Sequence, residues 1–280
     1  MSSRSAIARL KRAKGFVLDM DGTLVLGDRN NAGIRALPGA AEFVAYLNES
    51  AVPCVSFTNG TVRPPRDIVP KLAGAGIHLN AEAILTPSSV AADYFTRKGM
   101  RRILVLGGEG VSTPLEEAGL EVVRPPLRDG IDAIFAGWFR DFTMADIEAA
   151  CDAVWSGAKL FVASLVPFFA SSEGRVLGTS AAIAGAVRQI TGARATVLGK
   201  PSLEALRAAS HVLGIPARDL AVVGDDPALE ILMAHRGKAL AVGVTTGVAK
   251  EADYAAVPKK DRAHLVVRDM AELLSLYRDR

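Results

Sequence analysis

The chain has 280 residues, 50% hydrophobic and 22% charged, with 26 glycines and 14 prolines scattered without a period. That balance excludes disorder, collagen and coiled coil, and the length suits one α/β domain or a core carrying a smaller second domain. The 33 Lys plus Arg nearly offset 30 Asp plus Glu, for a formal charge of +3. The one notable basic run, RLKRAK from Arg9 to Lys14, has no interleaved aromatics and no helix-turn-helix pattern, so nucleic acid is not an expected partner.

Short apolar runs alternate with longer Ala- and Leu-rich segments. GFVLDM (15–20) reads as a strand, PGAAEFVAYLNES (38–50) as a helix, VPCVSFTNG (52–60) as a strand and its exit, and 65–77 as a helix stopping near Gly74 and Gly76. This βαβ rhythm predicts a parallel sheet between helices. After ILTPSS (84–89) it restarts: a helix over 88–98, strand RRILVLGG, a helix from Ser112, strands LEVV and IDAIFAG, a helix over 144–156, and strand KLFVAS. From Ser180 a helix leads to strand ATVLG, helix SLEALRAASHVLG, strand LAVVGD, helix PALEILMAHRG, and strands ALAVGV and HLVV. The expected organisation is a Rossmann-like core from 1–83 and 179–280, interrupted by a smaller inserted α/β domain at 84–178.

The oiliest segment, LFVASLVPFFAS (160–171), is too short for a membrane span and is broken by Pro167, and residues 1–15 carry no apolar leader core. A cytoplasmic protein with no membrane partner is expected. Cys54 and Cys151 have neither metal-ligand spacing nor a CxxC partner and read as buried small hydrophobes. His78, His211, His235 and His264 show no tight pairing in sequence, and GGEG (107–110) lacks both the GxGxxG spacing and a Walker lysine, so it reads as an ordinary turn.

In open parallel sheets ligands bind beyond the carboxyl ends of the strands. Four such ends are chemically unusual. Asp19 and Asp21 close the first strand, with Gly22 free to turn the chain; two carboxylates at i, i+2 repel unless a cation offsets them, and Mg²⁺ favours such oxygen ligands. SFTNG offers the hydroxyls of Ser56 or Thr58, the Asn59 amide and the backbone N–H groups around Gly60 to a phosphate. Lys200 follows VLG and precedes Pro201, which at a first helical position would put a cation beside a helix start. In VVGDDPALEI, Asp225 suits a metal, Asp226 suits a metal-bound water, the orientation of Lys200 or a helix N-cap, and Glu230 lies one turn on.

DMDGTLVLG, SFTNG, GKPS and GDDPALE, in that order across nearly the whole chain, resemble the four motifs of the haloacid dehalogenase-like superfamily. The nearer likeness is to its phosphatases with a large α/β cap, the branch of the N-acetylglucosamine operon phosphatase and the p-nitrophenyl phosphatases. The resemblance implies Asp19 as nucleophile, Asp21 as general acid and base, Thr58 and Asn59 as positioning residues, Lys200 as the charge-balancing cation, and Mg²⁺ held by Asp19, Asp225 and the Asp21 carbonyl. Within that superfamily, dehalogenases lack the second aspartate and need no Mg²⁺, and ion pumps carry threonine there together with membrane spans. Asp21 therefore favours hydrolysis of a small phosphate ester. A phosphomutase and a catalytically idle binding or regulatory protein of the same fold are the alternatives, and a homodimer built through the insert is compatible with the resemblance.

The insert departs from those relatives, which carry Gly-x-Asp-Arg in mid-cap and Thr-Asn-x-Asp after the last cap strand. This chain has GWFRD (137–141) and ASLVPFF (163–169), so Phe139 replaces an aspartate, and Leu165 and Pro167 replace an asparagine and a second aspartate. Losing those polar groups disfavours a hydroxyl-rich sugar and admits an apolar or aromatic leaving group, with Trp138, Arg140, Phe168 and Phe169 as its neighbours. The competing reading is that these residues only pack the cap.

Overall fold

The computed structural model describes residues 3–27, 34–126, 130–171 and 174–278. In chain order they form α1 (Ser3–Leu10), β1 (Gly15–Asp19), β2 (Val25–Gly27), β3 (Ile34–Ala36), α2 (Ala40–Glu49), β4 (Cys54–Phe57), α3 (Pro65–Gly74) and β5 (Ile84–Leu85). Next come α4 (Pro87–Arg97), β6 (Arg102–Leu106), α5 (Glu109–Glu117), β7 (Glu121–Val123), β8 (Ala133–Ala136), α6 (Met144–Trp155), β9 (Lys159–Val162), β10 (Phe168–Ser171), β11 (Gly174–Leu177), α7 (Thr179–Thr191) and β12 (Thr196–Val197). The chain closes with α8 (Leu203–Leu213), β13 (Leu220–Gly224), α9 (Leu232–Arg236), β14 (Leu240–Val244), α10 (Glu251–Ala256), β15 (Leu265–Val267) and α11 (Met270–Arg278). Among the described residues no helix is long and apolar enough to cross a membrane.

These elements divide into two compact units, one of residues 1–58, 66–85 and 205–280, the other of residues 59–65 and 86–204. The first carries a parallel sheet of order β15-β14-β13-β1-β4-β5. Successive strands run outward from β1 in opposite directions, so the order reverses there, and it is at such a reversal that open α/β sheets form their ligand crevice. All five residues of β1 are buried, as expected for a strand covered on both faces. One face packs Phe16, Leu18, Val223 and Val242 against Phe43 and Leu47 of α2 and Leu273 and Tyr277 of α11. Phe16 meets Phe43 and Tyr277 edge to face, with centroids 5.2 and 5.1 Å apart.

The second unit has a parallel sheet of order β12-β9-β8-β6-β7. Leu104, Ile134 and Leu160 pack on Ile147 and Ala150 of α6 and on Ile183, Ala184 and Val187 of α7. Helix α6 starts at a reciprocal cap: Thr143 N donates to Asp146 Oδ2 at 2.7 Å and Asp146 N to Thr143 Oγ1 at 3.4 Å. Gly192, at φ 76°, ends α7.

The unit boundary differs from the expected one at residue 178. Helix α7 buries its apolar face in the second unit, and β12 pairs with β9 (Thr196↔Phe161) rather than joining the core sheet. An apolar stripe shows that a helix must cover a sheet, not which sheet, so the sequence could not decide this. Distant in sequence, His235 and His264 are both partly packed, and their rings lie 4.7 Å apart, brought together by α9 and the entry to β15. Both cysteines are buried thiols as expected, and burial raises the Cys54 pKa to about 11.

Candidate active site

The first unit collects its site residues where β4, β1 and β13 end side by side. Asp19 pairs with Phe57 across β1 and β4, and Leu18 pairs with Val223 across β1 and β13, so Asp19 and Thr58 come to neighbouring strand ends with Asp225. Asp19 is 4% exposed, and the fully buried Thr23 hydroxyl donates to its Oδ2 at 3.0 Å. The chain then turns rather than continuing extended: Leu24 N and Val25 N both donate to Met20 O, and Gly22 sits at φ 88°. Asp21 is consequently exposed, and Thr58 Oγ1 donates to its Oδ2 at 3.0 Å. One aspartate is sequestered and the other faces water, each oriented by a threonine.

Asp225, also 4% exposed, lies just past β13. Its Oδ2 accepts from Val248 N at 2.6 Å and its carbonyl from Ala249 N at 3.2 Å. Thr246 Oγ1 donates to Gly22 O at 2.6 Å, tying the same loop to the turn after β1. Gly22 and Gly247 leave room for this carboxylate: a Cβ on either would lie 2.9 or 2.5 Å from Asp225 Cγ. Residues 245–250 are thus a further wall of the site that the four-motif reading missed. The signal available was positional, a small-residue run TTG directly after the buried strand LAVGV.

Asp226 takes the capping role, its Oδ1 accepting from Ala228 N at 2.7 Å at the head of a single π-helical turn, Pro227–Ile231. Glu230, buried at 2% exposure, accepts from Asp226 N at 3.2 Å, and its methylenes fill the space beside Gly224 that a Cβ there would need.

Asn59, Gly60 and Lys200 belong to the second unit. Asn59 and Lys200 clasp each other reciprocally: Lys200 N donates to Asn59 Oδ1 at 2.8 Å, and Asn59 Nδ2 donates to Lys200 O at 3.1 Å. A Cβ on Gly199 would come 2.6 Å from Asn59 Oδ1, so the glycine of GKPS permits the clasp. Lys200 is 2% exposed. Pro201 is not the first residue of a helix as expected; the Lys200–Pro201 bond is cis and α8 begins at Leu203. The GGEG turn opens α5, and Gly110 lets the backbone of residues 61–63 lie against it, a Cβ there meeting Arg63 N at 2.5 Å.

Residues 16–121 match the family model described as haloacid dehalogenase-like hydrolase, and residues 197–273 match a second model of HAD-hydrolase-like proteins. The chain belongs to the haloacid dehalogenase-like hydrolases. It is 29% identical over 254 residues to an acid sugar phosphatase of Staphylococcus haemolyticus, covering 90% of this chain and 92% of the relative. The solved 4-nitrophenylphosphatase of Thermotoga maritima superposes with a TM-score of 0.85 at 25% identity, covering 96% of this chain and 99% of that one. A glycerol phosphate phosphatase of Mycobacterium tuberculosis, solved with magnesium, has the same fold at 23% identity, with a TM-score of 0.82 over 97% of this chain and 78% of that one.

Haloacid dehalogenase-like phosphatases generally use Mg²⁺, and the donor set here suits it. Among the described residues no three His, Cys, Asp or Glu side chains cluster as a metal site. The expected set needs only two, Asp19 and Asp225, with the Asp21 carbonyl as a third oxygen. Both carboxylates are buried at adjacent strand ends, and the two glycines beside Asp225 keep its surroundings clear of side chains. All-oxygen ligation is what a hard divalent cation takes.

Within the second unit the expected specificity residues separate. Phe139 packs on the second unit's core, and its N–H donates to Thr179 Oγ1 at 3.1 Å, so it is a packing residue. Trp138 is half-buried, its N–H bound to Thr61 Oγ1 at 2.8 Å, and the exposed Arg140 guanidinium lies 6.0 Å from its ring. Leu165 and Phe168 are 47% and 43% exposed, and Pro167 is exposed between them. The Phe169 side chain lies outside the described residues.

Proposed function

We propose that this chain is a Mg²⁺-dependent phosphomonoesterase that works through an aspartyl phosphate on Asp19, in the cytoplasm, on a small phosphorylated metabolite. The observation that carries this reading is the asymmetry of the aspartate pair. Asp19 is buried and its carboxylate orientation is fixed by Thr23, as a nucleophile requires, whereas Asp21 is exposed and oriented by Thr58, as a group exchanging protons with leaving group and water requires.

In the first half-reaction an Asp19 oxygen bonds to phosphorus, the ester P–O bond breaks, and Asp21 gives its proton to the departing oxygen. In the second, Asp21 takes a proton from water, that water attacks phosphorus, and the Asp19–phosphorus bond breaks to release inorganic phosphate. Mg²⁺ bound by Asp19, Asp225 and the Asp21 carbonyl would supply positive charge to the phosphoryl oxygens. Lys200 adds charge balance, and the Asn59 clasp sets its backbone.

The exposed Leu165, Pro167 and Phe168 support a leaving group with apolar surface, whereas the staphylococcal relatives are named for sugar phosphates. Phosphate release from an aryl phosphate is expected with Mg²⁺ and not with EDTA or in Asp19→Asn. Activity retained by Asp19→Asn would overturn the reading. Across sugar, polyol, nucleotide, pyridoxal and aryl phosphates, kcat/KM is expected to be highest for the aromatic and apolar leaving groups.

A further inference from the structure

Tyr254 lies on α10, outside every motif considered so far, yet its hydroxyl sits between the last carbonyls of two core strands. It is 3.1 Å from Gly224 O, at the end of β13, and 3.0 Å from Val244 O, at the end of β14. These carbonyls flank the two segments that make the Asp225 pocket: Gly224 precedes Asp225, and Val244 precedes the loop whose Val248 N–H binds Asp225 Oδ2. The ring is 3% exposed and lies over Gly243, where a Cβ would come 2.5 Å from Cε1. A side chain at residue 243 would therefore expel it. Burial, followed by the charges of Asp225, Glu230 and Asp226, pushes the phenol pKa well up, so the hydroxyl keeps its proton at all working pH values.

We infer that Tyr254 is a positioning residue for Asp225, its hydroxyl fixing the spacing of the β13 and β14 ends so that the Val248 amide and the Asp225 carboxylate stay in register for metal binding. This rests on Asp225 as a Mg²⁺ ligand. The ladder itself pairs Gly224 with Gly243, and the hydroxyl, sharing its one proton between Gly224 O and Val244 O, is a side-chain tie added just where that ladder stops. A purely structural role would need only the ring, which fills the space over Gly243.

The test is Tyr254→Phe, which keeps the ring and removes the hydroxyl. Mg²⁺ binding without substrate is measured by calorimetry, unfolding in EDTA by circular dichroism, and exchange of the 245–250 amides by mass spectrometry. Loss of a group that hydrogen-bonds a metal ligand weakens metal affinity by about 10–100-fold, and Tyr254 acts one step further out, through the backbone beside Asp225, so the low end of that range applies. The expected result is a weakening of about tenfold, faster exchange across 245–250, and an unchanged KM for the phosphate ester at saturating Mg²⁺. Mg²⁺ affinity unchanged from wild type, with or without a lower melting temperature, would overturn the inference, as would a wild-type protein that does not bind Mg²⁺. A wild type that binds Mg²⁺ but releases no phosphate would instead overturn the proposed function, and the calorimetric comparison would still decide the role of Tyr254. Should Tyr254→Phe fail to fold, Tyr254→Met, which also fills the space over Gly243 and carries no hydroxyl, is to be measured in the same way, with the same two readings.

Discussion

Replacing Gly247 by alanine sets one methyl group against the Asp225 carboxylate. The new Cβ would stand 2.5 Å from Asp225 Cγ, and non-bonded carbons rest about 3.5–4.0 Å apart. Carboxylate or loop must therefore give way by about 1 Å. Gly247 does not have a left-handed φ, so the substitution tests contact rather than backbone strain. Overpacking of this kind destabilises by about 1–3 kcal/mol, and a misplacement of about 1 Å at a reacting centre lowers rate by about a hundredfold. The Val248 N–H bond to Oδ2, at 2.6 Å, would be broken by the same movement. Expected are a kcat/KM about a hundredfold lower on an aryl phosphate, weaker Mg²⁺ binding by calorimetry, and a modest loss of stability to urea in EDTA. Gly185→Ala, at an exposed helical position with nothing within 4 Å of the new Cβ, is the control and should leave all three measurements near wild type or raise stability by about 0.4–1 kcal/mol. A Gly247→Ala protein with Mg²⁺ affinity and kcat/KM within twofold of wild type would show that the Asp225 pocket is not built as described.

Two further substitutions probe other parts of the structure. His264 is held neutral: burial, then the charges of His235 and Arg9, lower its pKa from 6.5 to about 4, and its Nδ1 accepts from Ala241 N at 2.9 Å. The unfolded chain binds a proton more readily than the folded one between those values, so stability falls as pH drops from about 6.5 towards 4; discounted for the half-buried site, the loss is roughly 1–3 kcal/mol. His264→Asn keeps an acceptor and removes the titration, so urea midpoints across pH 4.5–7.5 should fall less steeply than in wild type, and parallel curves would refute this. Asn59→Ala removes both hydrogen bonds to the Lys200 backbone and should lower stability by roughly 1–2 kcal/mol. It should also cut kcat more than it raises KM, which steady-state kinetics on an aryl phosphate would show.

Much of this site could be read from the sequence because its side chains are of unusual type at strand ends. Asp19, Asp21, Thr58 and Asp225 each announce themselves as polar groups directly after buried apolar runs, and the core strands carrying them appear where the βαβ rhythm puts them. What escaped works through backbone or through absent atoms. The 245–250 loop contributes an N–H, a hydroxyl and the missing Cβ of Gly247, and none of these marks TTGVAK as functional. Helix α7 covers the second unit's sheet and not the core sheet expected for it; Ile183, Ala184 and Val187 would suit either. Nothing in GWFRD marks Phe139 as a residue whose ring packs on the second unit's core.

The strand that ends in Asp19 also has an awkward history during synthesis. One edge of β1 is closed by β4, about forty residues later, but its other edge waits for Leu220, 205 residues after its partner Gly15. At a translation rate of about 5–20 residues per second, that interval lasts on the order of 10–40 s, during which an oily strand presents unpaired amides. Chains released before residue 220 are therefore expected to collect in the insoluble fraction, and the cell's chaperones should be found on ribosomes carrying the first three quarters of this protein.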